Sequence, residues 1–158
     1  MSKLYLGFDA GTQSVKVAVY DENFKQVASH SLPTTLHYPQ PGWVQMNIDE
    51  FLNITVECIR KTVEDIKGKG YAAGDIAAVM GDGIICGICG VDENGKAVTP
   101  YINYLDSRTQ ADVDAINAMD LDIWGRETGN PQANCMFPAM FARWLLANNE
   151  AFQKKGVK

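Results

Sequence analysis

No apolar run in this sequence approaches the roughly 20 residues that a helix needs to cross a bilayer, and several other features are equally sparse. Cysteine is scarce: Cys58, Cys86, Cys89 and Cys135 are scattered, too few for a disulfide scaffold. Cys86 and Cys89 have the C-x-x-C spacing of a redox or metal half-site. No second such pair follows, and the two histidines, His30 and His37, are distant in sequence, so reduced core thiols are expected. Basic residues are in the minority: 14 Lys and Arg against 19 Asp and Glu give a net charge of −5. That balance argues against nucleic acid and against an acidic membrane surface as partners. No segment repeats and none is of low complexity, which excludes solenoids and disordered linkers. Met1-Ser2-Lys3 leads directly into an apolar stretch with no secretory leader, so a cytoplasmic location is expected.

What remains is the composition of a water-soluble domain, 46% hydrophobic and 21% charged over 158 residues, enough to bury a core. The chain is organised around residues 4–21, LYLGFDAGTQSVKVAVYD. An apolar run ends at Phe8, and Val15, Val17 and Val19 then alternate with Lys16, Ala18 and Tyr20. Two such runs about a small polar centre predict a tight β-hairpin. Gly11 is expected to give the turn backbone freedom and to let another group approach the main chain. Thr12 and Ser14 add hydroxyls to a row of turn N–H groups, the makings of a concave anion site. Asp9 stands at its mouth, where Mg²⁺, which favours one or two carboxylates plus phosphate oxygens, finds a ligand. Together these features suggest a nucleotide phosphate site. The competing reading is a plain strand connection in which Asp9 satisfies its own loop amides.

A third strand is expected over residues 25–35, then a loop over 37–46, HYPQPGWVQM, in which Trp43 reads as a packing anchor. Asn47 and Glu50 have capping-box spacing for a helix to about Lys67, with Ile48, Phe51, Leu52, Thr55, Val56, Ile59, Val63 and Ile66 as its apolar positions. Residues 76–80 and 84–91 read as apolar strands around Gly81-Asp82-Gly83, and 97–104 as a further strand after the Asp92-Glu93-Asn94-Gly95 turn. Ser107 with Gln110 predicts a second capping box for a helix from Arg108 to about Met119. A short helix over 120–128 ended by Gly129, and a helix over 137–149 with Phe141, Trp144, Leu145 and Asn148 on one side, complete the reading.

The opening GFDAGTQSVKVAVYD resembles the first phosphate motif of the FGGY carbohydrate kinases, members of the actin, hexokinase and Hsp70-like ATPase superfamily. P-G-W-V at 41–44, Y-L-D-S-R-T at 104–109 (the family's Trp-x-Asp-x-Arg-Thr, with Tyr104 for Trp) and Pro138 with Trp144 agree in order and spacing, so the resemblance covers nearly the whole chain. It implies a ribonuclease H-like (actin-like ATPase) α/β domain, a mixed sheet opened by a β-hairpin with flanking helices. It implies that Asp9 binds Mg²⁺ and that Gly11, Thr12, Gln13 and Ser14 surround the ATP phosphates, with Lys16 where a basic residue is usual. The sugar or polyol contacts would fall near Asp82, Ile84, Ile85, Cys86, Tyr104 and Asp106. Asp106 stays open between a cleft role and a helix-capping role, and Arg108 leans structural.

Three departures qualify the match. Xylulose-type members have Gln-Met-His, and glycerol-type members Gln-Arg-Glu, where this chain has Ile84-Ile85-Cys86. An apolar wall offers polyol hydroxyls no side-chain partners. Recognition is then left to Asp82 or the backbone, or the substrate is less polar, or the site is impaired. Gln45 replaces the usual acidic residue after P-G-W-V, and Phe141 replaces the lysine of Pro-x-x-Lys-x-x-Trp. The family's catalytic Asp and adenine pocket would lie downstream of Lys158, so no catalytic residue is expected here. Residues 1–158 then form part of an N-terminal domain, inactive alone, whose partner is the missing C-terminal half of the kinase. Whether the full-length protein forms a homodimer stays open. Two alternatives are a non-catalytic sensor or interaction domain, favoured by Ile84-Ile85-Cys86, and another ATPase of the superfamily, disfavoured by P-G-W-V and Y-x-D-x-R-T.

Overall fold

The computed structural model describes residues 3–119, 121–154 and 156–158, and they form two compact units. The first unit comprises Met1–Thr35 and Asp49–Ile84; the second comprises Leu36–Ile48 and Ile85–Lys158. Met1, Ser2 and Asp120, on which parts of the sequence reading fell, lie outside the described residues.

In the first unit the predicted hairpin is present as β1 (Leu4–Ala10) and β2 (Ser14–Asp21), antiparallel with Asp9 opposite Lys16 and Ala10 opposite Val15. β3 (Gln26–Pro33) extends it antiparallel, and β5 (Ile76–Gly83) pairs parallel with β1, giving the order β3-β2-β1-β5. Period-two alternation makes this sheet two-faced. Leu4, Leu6 and Ala10 of β1, Val15, Val17 and Val19 of β2, and Ala28 of β3 are buried on one side with α1 (Ile48–Gly68). Helix α1 is rich in β-branched residues, which are mediocre helix formers, so packing holds it more than intrinsic propensity does. Each fully buried aliphatic side chain contributes about 1.5–3 kcal/mol.

Its buried stripe differs from the expected one. Cys58, Thr62 and Ile66 are buried, with Phe51, Ile54, Ile59 and Val63 packed beside them, while Leu52 and Val56 are exposed. Thr62 reaches the interior because its hydroxyl donates to the Cys58 carbonyl at 2.9 Å, and the Cys58 thiol lies 3.5 Å from the His30 carbonyl. Burial pushes the Cys58 thiol up from its ordinary value.

Strand β5 corrects a second expectation. It runs through Gly81-Asp82-Gly83, because the ladder to Phe8, Asp9 and Ala10 outweighs the poor strand propensity of glycine. Residues 84–91 are no continuous buried strand. Only Gly87–Ile88 is extended (β6), Cys86 adopts φ 62° and Ile85 is 80% exposed. The Cys86 and Cys89 thiols are both free and half-buried.

The second unit holds a small sheet of β4 (Gln45–Met46), β7 (Tyr101–Asn103) and β6, antiparallel in the order β4-β7-β6. β4 lies within the expected loop, and the strand expected over 97–104 contracts to β7, with Ala97 bridged to Val91 across the Asp92 turn. Helix α2 (Gln110–Asn117) starts later than predicted. Ser107 does not cap it: its hydroxyl donates to the Gly42 carbonyl at 3.2 Å. Gly42 has φ 79°, and a Cβ there would stand 2.7 Å from that hydroxyl, so the P-G-W-V loop requires glycine at this point. A single turn over Trp124–Thr128, closed by Gly129, stands where a short helix was expected. Helix α3 (Pro138–Asn148) buries Met140, Phe141 and Leu145, while Asn148 is exposed. Phe141 and Leu145 pack with Ile102, and Met140 with Val113 and Ala133. Among the described residues no helix is long and apolar enough to cross a membrane.

Candidate functional site

The turn between β1 and β2 is the first of two polar constructions. The Gly11 N–H donates to the Ser14 carbonyl at 3.1 Å and closes the hairpin. Gly11 does not adopt a left-handed conformation, so backbone freedom is not what position 11 demands. Space is: a Cβ there would lie 3.0 Å from the Ser14 carbonyl oxygen, and 3.5 and 3.6 Å from the two Asp9 carboxylate oxygens. Glycine keeps clear the ground beside the carboxylate. Thr34, just past β3, ties the turn from behind and was not legible in the sequence. Its hydroxyl donates to the Thr12 carbonyl at 2.6 Å and its N–H to the Gln13 carbonyl at 3.1 Å. Engaging those carbonyls removes acceptors that would repel an anion at the turn.

The sheet register brings Asp9, Lys16 and Asp82 side by side across three strands, with Asp9 opposite Lys16 on β2 and opposite Asp82 on β5. Lys16 Nζ is 3.5 Å from Asp9 Oδ2, and both side chains are open to solvent. Asp82 Oδ1 accepts the Gly83 N–H at 2.7 Å. The three line one open hollow of about 580 Å³, with Gly7, Ala18, Ser29 and Met80 among its other walls. The two carboxylates bring hard oxygen donors to this hollow, and the ammonium brings a point charge of opposite sign. This donor set fits a small divalent cation carrying phosphate.

The second construction, in the second unit, has the opposite character. Asp106 is fully buried, and both its oxygens are occupied. Oδ1 accepts Arg108 Nε at 2.9 Å and the Arg108 N–H at 2.9 Å. Oδ2 accepts the other arm of the guanidinium at 2.8 Å and the Val44 N–H at 2.6 Å. The guanidinium lies 3.8 Å over the Trp43 ring and 5.0 Å from that of Trp144, and the two indoles meet edge to face at 5.2 Å. Gln45 Oε1 accepts from the same Arg108 Nη2 that meets Asp106 Oδ2, at 3.1 Å, a neutral acceptor where the family's acidic residue would stand. Trp43 is thus a packing anchor, as expected, and Asp106 is engaged in holding the P-G-W-V loop to β7. Neighbouring Tyr104 is 37% exposed. The Tyr101 hydroxyl donates to the Cys86 carbonyl, and burial pushes its pKa up to about 12.

A hairpin-led mixed sheet with an acidic, glycine-bearing turn defines a domain of the actin-like ATPase class. Comparison with known proteins narrows that class. Residues 4–157 match the FGGY family of carbohydrate kinases, N-terminal domain, and the chain belongs to that family. It is 30% identical over 151 residues to a probable glycerol kinase of Caenorhabditis elegans, covering 92% of this chain and 30% of that protein. It is also 30% identical over 163 residues to the glycerol kinase of Rhizobium rhizogenes, covering 100% of this chain and 31% of that one. Among solved structures, Plasmodium falciparum glycerol kinase with ADP superposes at TM-score 0.83 with 25% identity, over 98% of this chain and 30% of that one. Xylulose kinase from Rhodospirillum rubrum superposes at TM-score 0.83 with 21% identity, over 94% and 30%, a likeness of fold. The chain therefore spans about 30% of the length of the relatives it matches.

Proposed function

We propose that this chain carries the phosphate-binding part of an ATP-dependent carbohydrate kinase, and that the complete protein phosphorylates a hydroxyl of a sugar or polyol. The single observation that supports this most is the turn at residues 11–14, closed beside Asp9 and backed by Thr34, in a chain matched to the family over residues 4–157. In this reading Asp9 holds Mg²⁺, and Gly11, Thr12, Gln13 and Ser14 cradle the ATP phosphates. Mg²⁺ bound there supplies neutralisation of the charge on the phosphate oxygens. Lys16 biases the local field toward anions, and Thr34 keeps the turn's carbonyls engaged. Tyr104 and the stretch Ile84-Ile85-Cys86 face the acceptor. Asp106 acts on that side by holding the P-G-W-V loop, since its oxygens are already taken. Apolar Ile84 and Ile85 argue against glycerol or xylulose as the acceptor. In this reading the protein works in the cytoplasm.

Phosphoryl transfer depends on positioning and charge neutralisation, so this part of a cleft alone is expected to be inactive. An ADP-release assay over a panel of sugars and polyols tests the proposal. The full gene product should turn over with one of them, and the isolated chain with none. Sugar-stimulated ADP release from the isolated chain would overturn the claim that it is inactive. A second reading, a sensor that kept the fold without catalysis, is favoured by exposed, apolar Ile85. Sugar-dependent protection from thermal unfolding without any turnover would select it.

A further inference from the structure

We propose that Asp82 is the second carboxylate of the divalent-cation site, paired with Asp9 across the β1–β5 ladder, rather than a sugar contact. The proposal rests on the phosphate-site reading of the turn. Asp9 and Asp82 are register partners on parallel strands, whose backbones run about 4.8 Å apart, and both line the same hollow. Like charges directly opposite in a ladder repel. Lys16, 3.5 Å from Asp9, is one ammonium against two carboxylates, so the face keeps a net negative charge.

A hydrated divalent cation answers that arrangement. It accepts one or two carboxylates and fills its remaining positions with water and phosphate oxygens. The place is also apt, because β1 and β5 run parallel and both end beside the turn, and ligands of such sheets gather at the carboxyl ends of the strands. The Gly83 N–H bond on Asp82 Oδ1 fixes the carboxylate and leaves Oδ2 as its donor oxygen. With a cation held by the two carboxylates, Lys16 would leave Asp9 and its ammonium would be available to phosphate. Among the described residues β5 is the outer strand of this sheet, and an aspartate there also discourages strand addition. That task needs no partner at position 9 and is indifferent to Lys16, which separates the two roles experimentally.

The test is a titration of the chain with Mn²⁺, alone and then with ATP, reading free Mn²⁺ by electron paramagnetic resonance. Wild type, D9N, D82N, D82E and K16M are compared, with circular dichroism confirming that each is folded. D9N and D82N should each weaken Mn²⁺ binding at least tenfold. D82E should stay within a few-fold of wild type, and K16M should bind Mn²⁺ alone more tightly. Wild-type Mn²⁺ affinity in D82N, beside a loss in D9N, overturns the role of Asp82 and leaves the phosphate-site reading standing. Unchanged binding in both, or no binding by wild type even with ATP, overturns the two together.

Discussion

Asp9–Lys16 in the hairpin and Asp106–Arg108 after β7 are both carboxylate–cation pairs, and they differ in nearly everything else. The first is 3.5 Å long with both side chains in solvent. The second is bidentate, buried, and enclosed by two indoles and the Val44 N–H. An exposed pair costs little to separate, so its charges remain available to a ligand. A buried pair, once fully hydrogen-bonded, is expensive to break and has nothing left to offer. Similar residue types are thus left available in one unit and committed to scaffolding in the other, and solvent access decides which.

The largest effect should come from breaking the buried pair. Asp106→Ala strands a guanidinium and the Val44 N–H, and should lower stability by about 3–5 kcal/mol in urea unfolding. Asp9→Ala should cost less than about 1 kcal/mol in the same measurement. Equal losses would erase the distinction between the two sites. Next in size is Thr34→Val, which removes the hydroxyl donated to the Thr12 carbonyl. About 1 kcal/mol of stability should go with it, and nucleotide affinity should fall, as calorimetry would record. Salt sharpens the contrast further. The stability difference between wild type and Lys16→Met should fade between about 0.1 and 1 M salt, as the Debye length shrinks from about 10 to 3 Å. The cost of Asp106→Ala should hardly change over that range.

The smallest effect concerns Tyr101, whose pKa in the folded chain is raised to about 12 from 10. A raised acid is held protonated by the fold, so its contribution is complete below pH 10, declines as pH rises through that window, and is gone above about 12. Tyr101→Phe should therefore flatten the alkaline limb of a thermal-stability profile. Residual slope from the raised thiols of Cys58 and Cys89 should remain.

The hairpin and its turn were legible because their signals are local: period-two valines, a glycine, and an aspartate at the strand end. The stretch 84–91 misled because an apolar run without periodicity does not distinguish a buried strand from a half-buried loop. Glycines 81 and 83 hid the end of β5, since pairing with β1 decides that strand and propensity does not. Ser107 has the spacing of a cap, yet its partner is Gly42, 65 residues away. Leu52 and Val56 were misplaced because hydrophobicity alone ranked them above Thr62, whose hydroxyl is satisfied within the helix. Thr34 carries no sequence signal at all; only the fold brings it behind the turn. Asp106 and Arg108 were visible as neighbours, but the enclosure by Trp43, Trp144 and Val44 that makes them structural is long-range.

The most direct measurement is a titration of the isotope-labelled chain with MgATP, following its backbone amide resonances by NMR. Shifts should concentrate at Gly11, Thr12, Gln13 and Ser14, spread to Asp9 and Lys16, and be abolished by Asp9→Asn but not by Tyr101→Phe. Shifts centred elsewhere, or a wild-type response in Asp9→Asn, would contradict the assignment of the hairpin turn as the phosphate site.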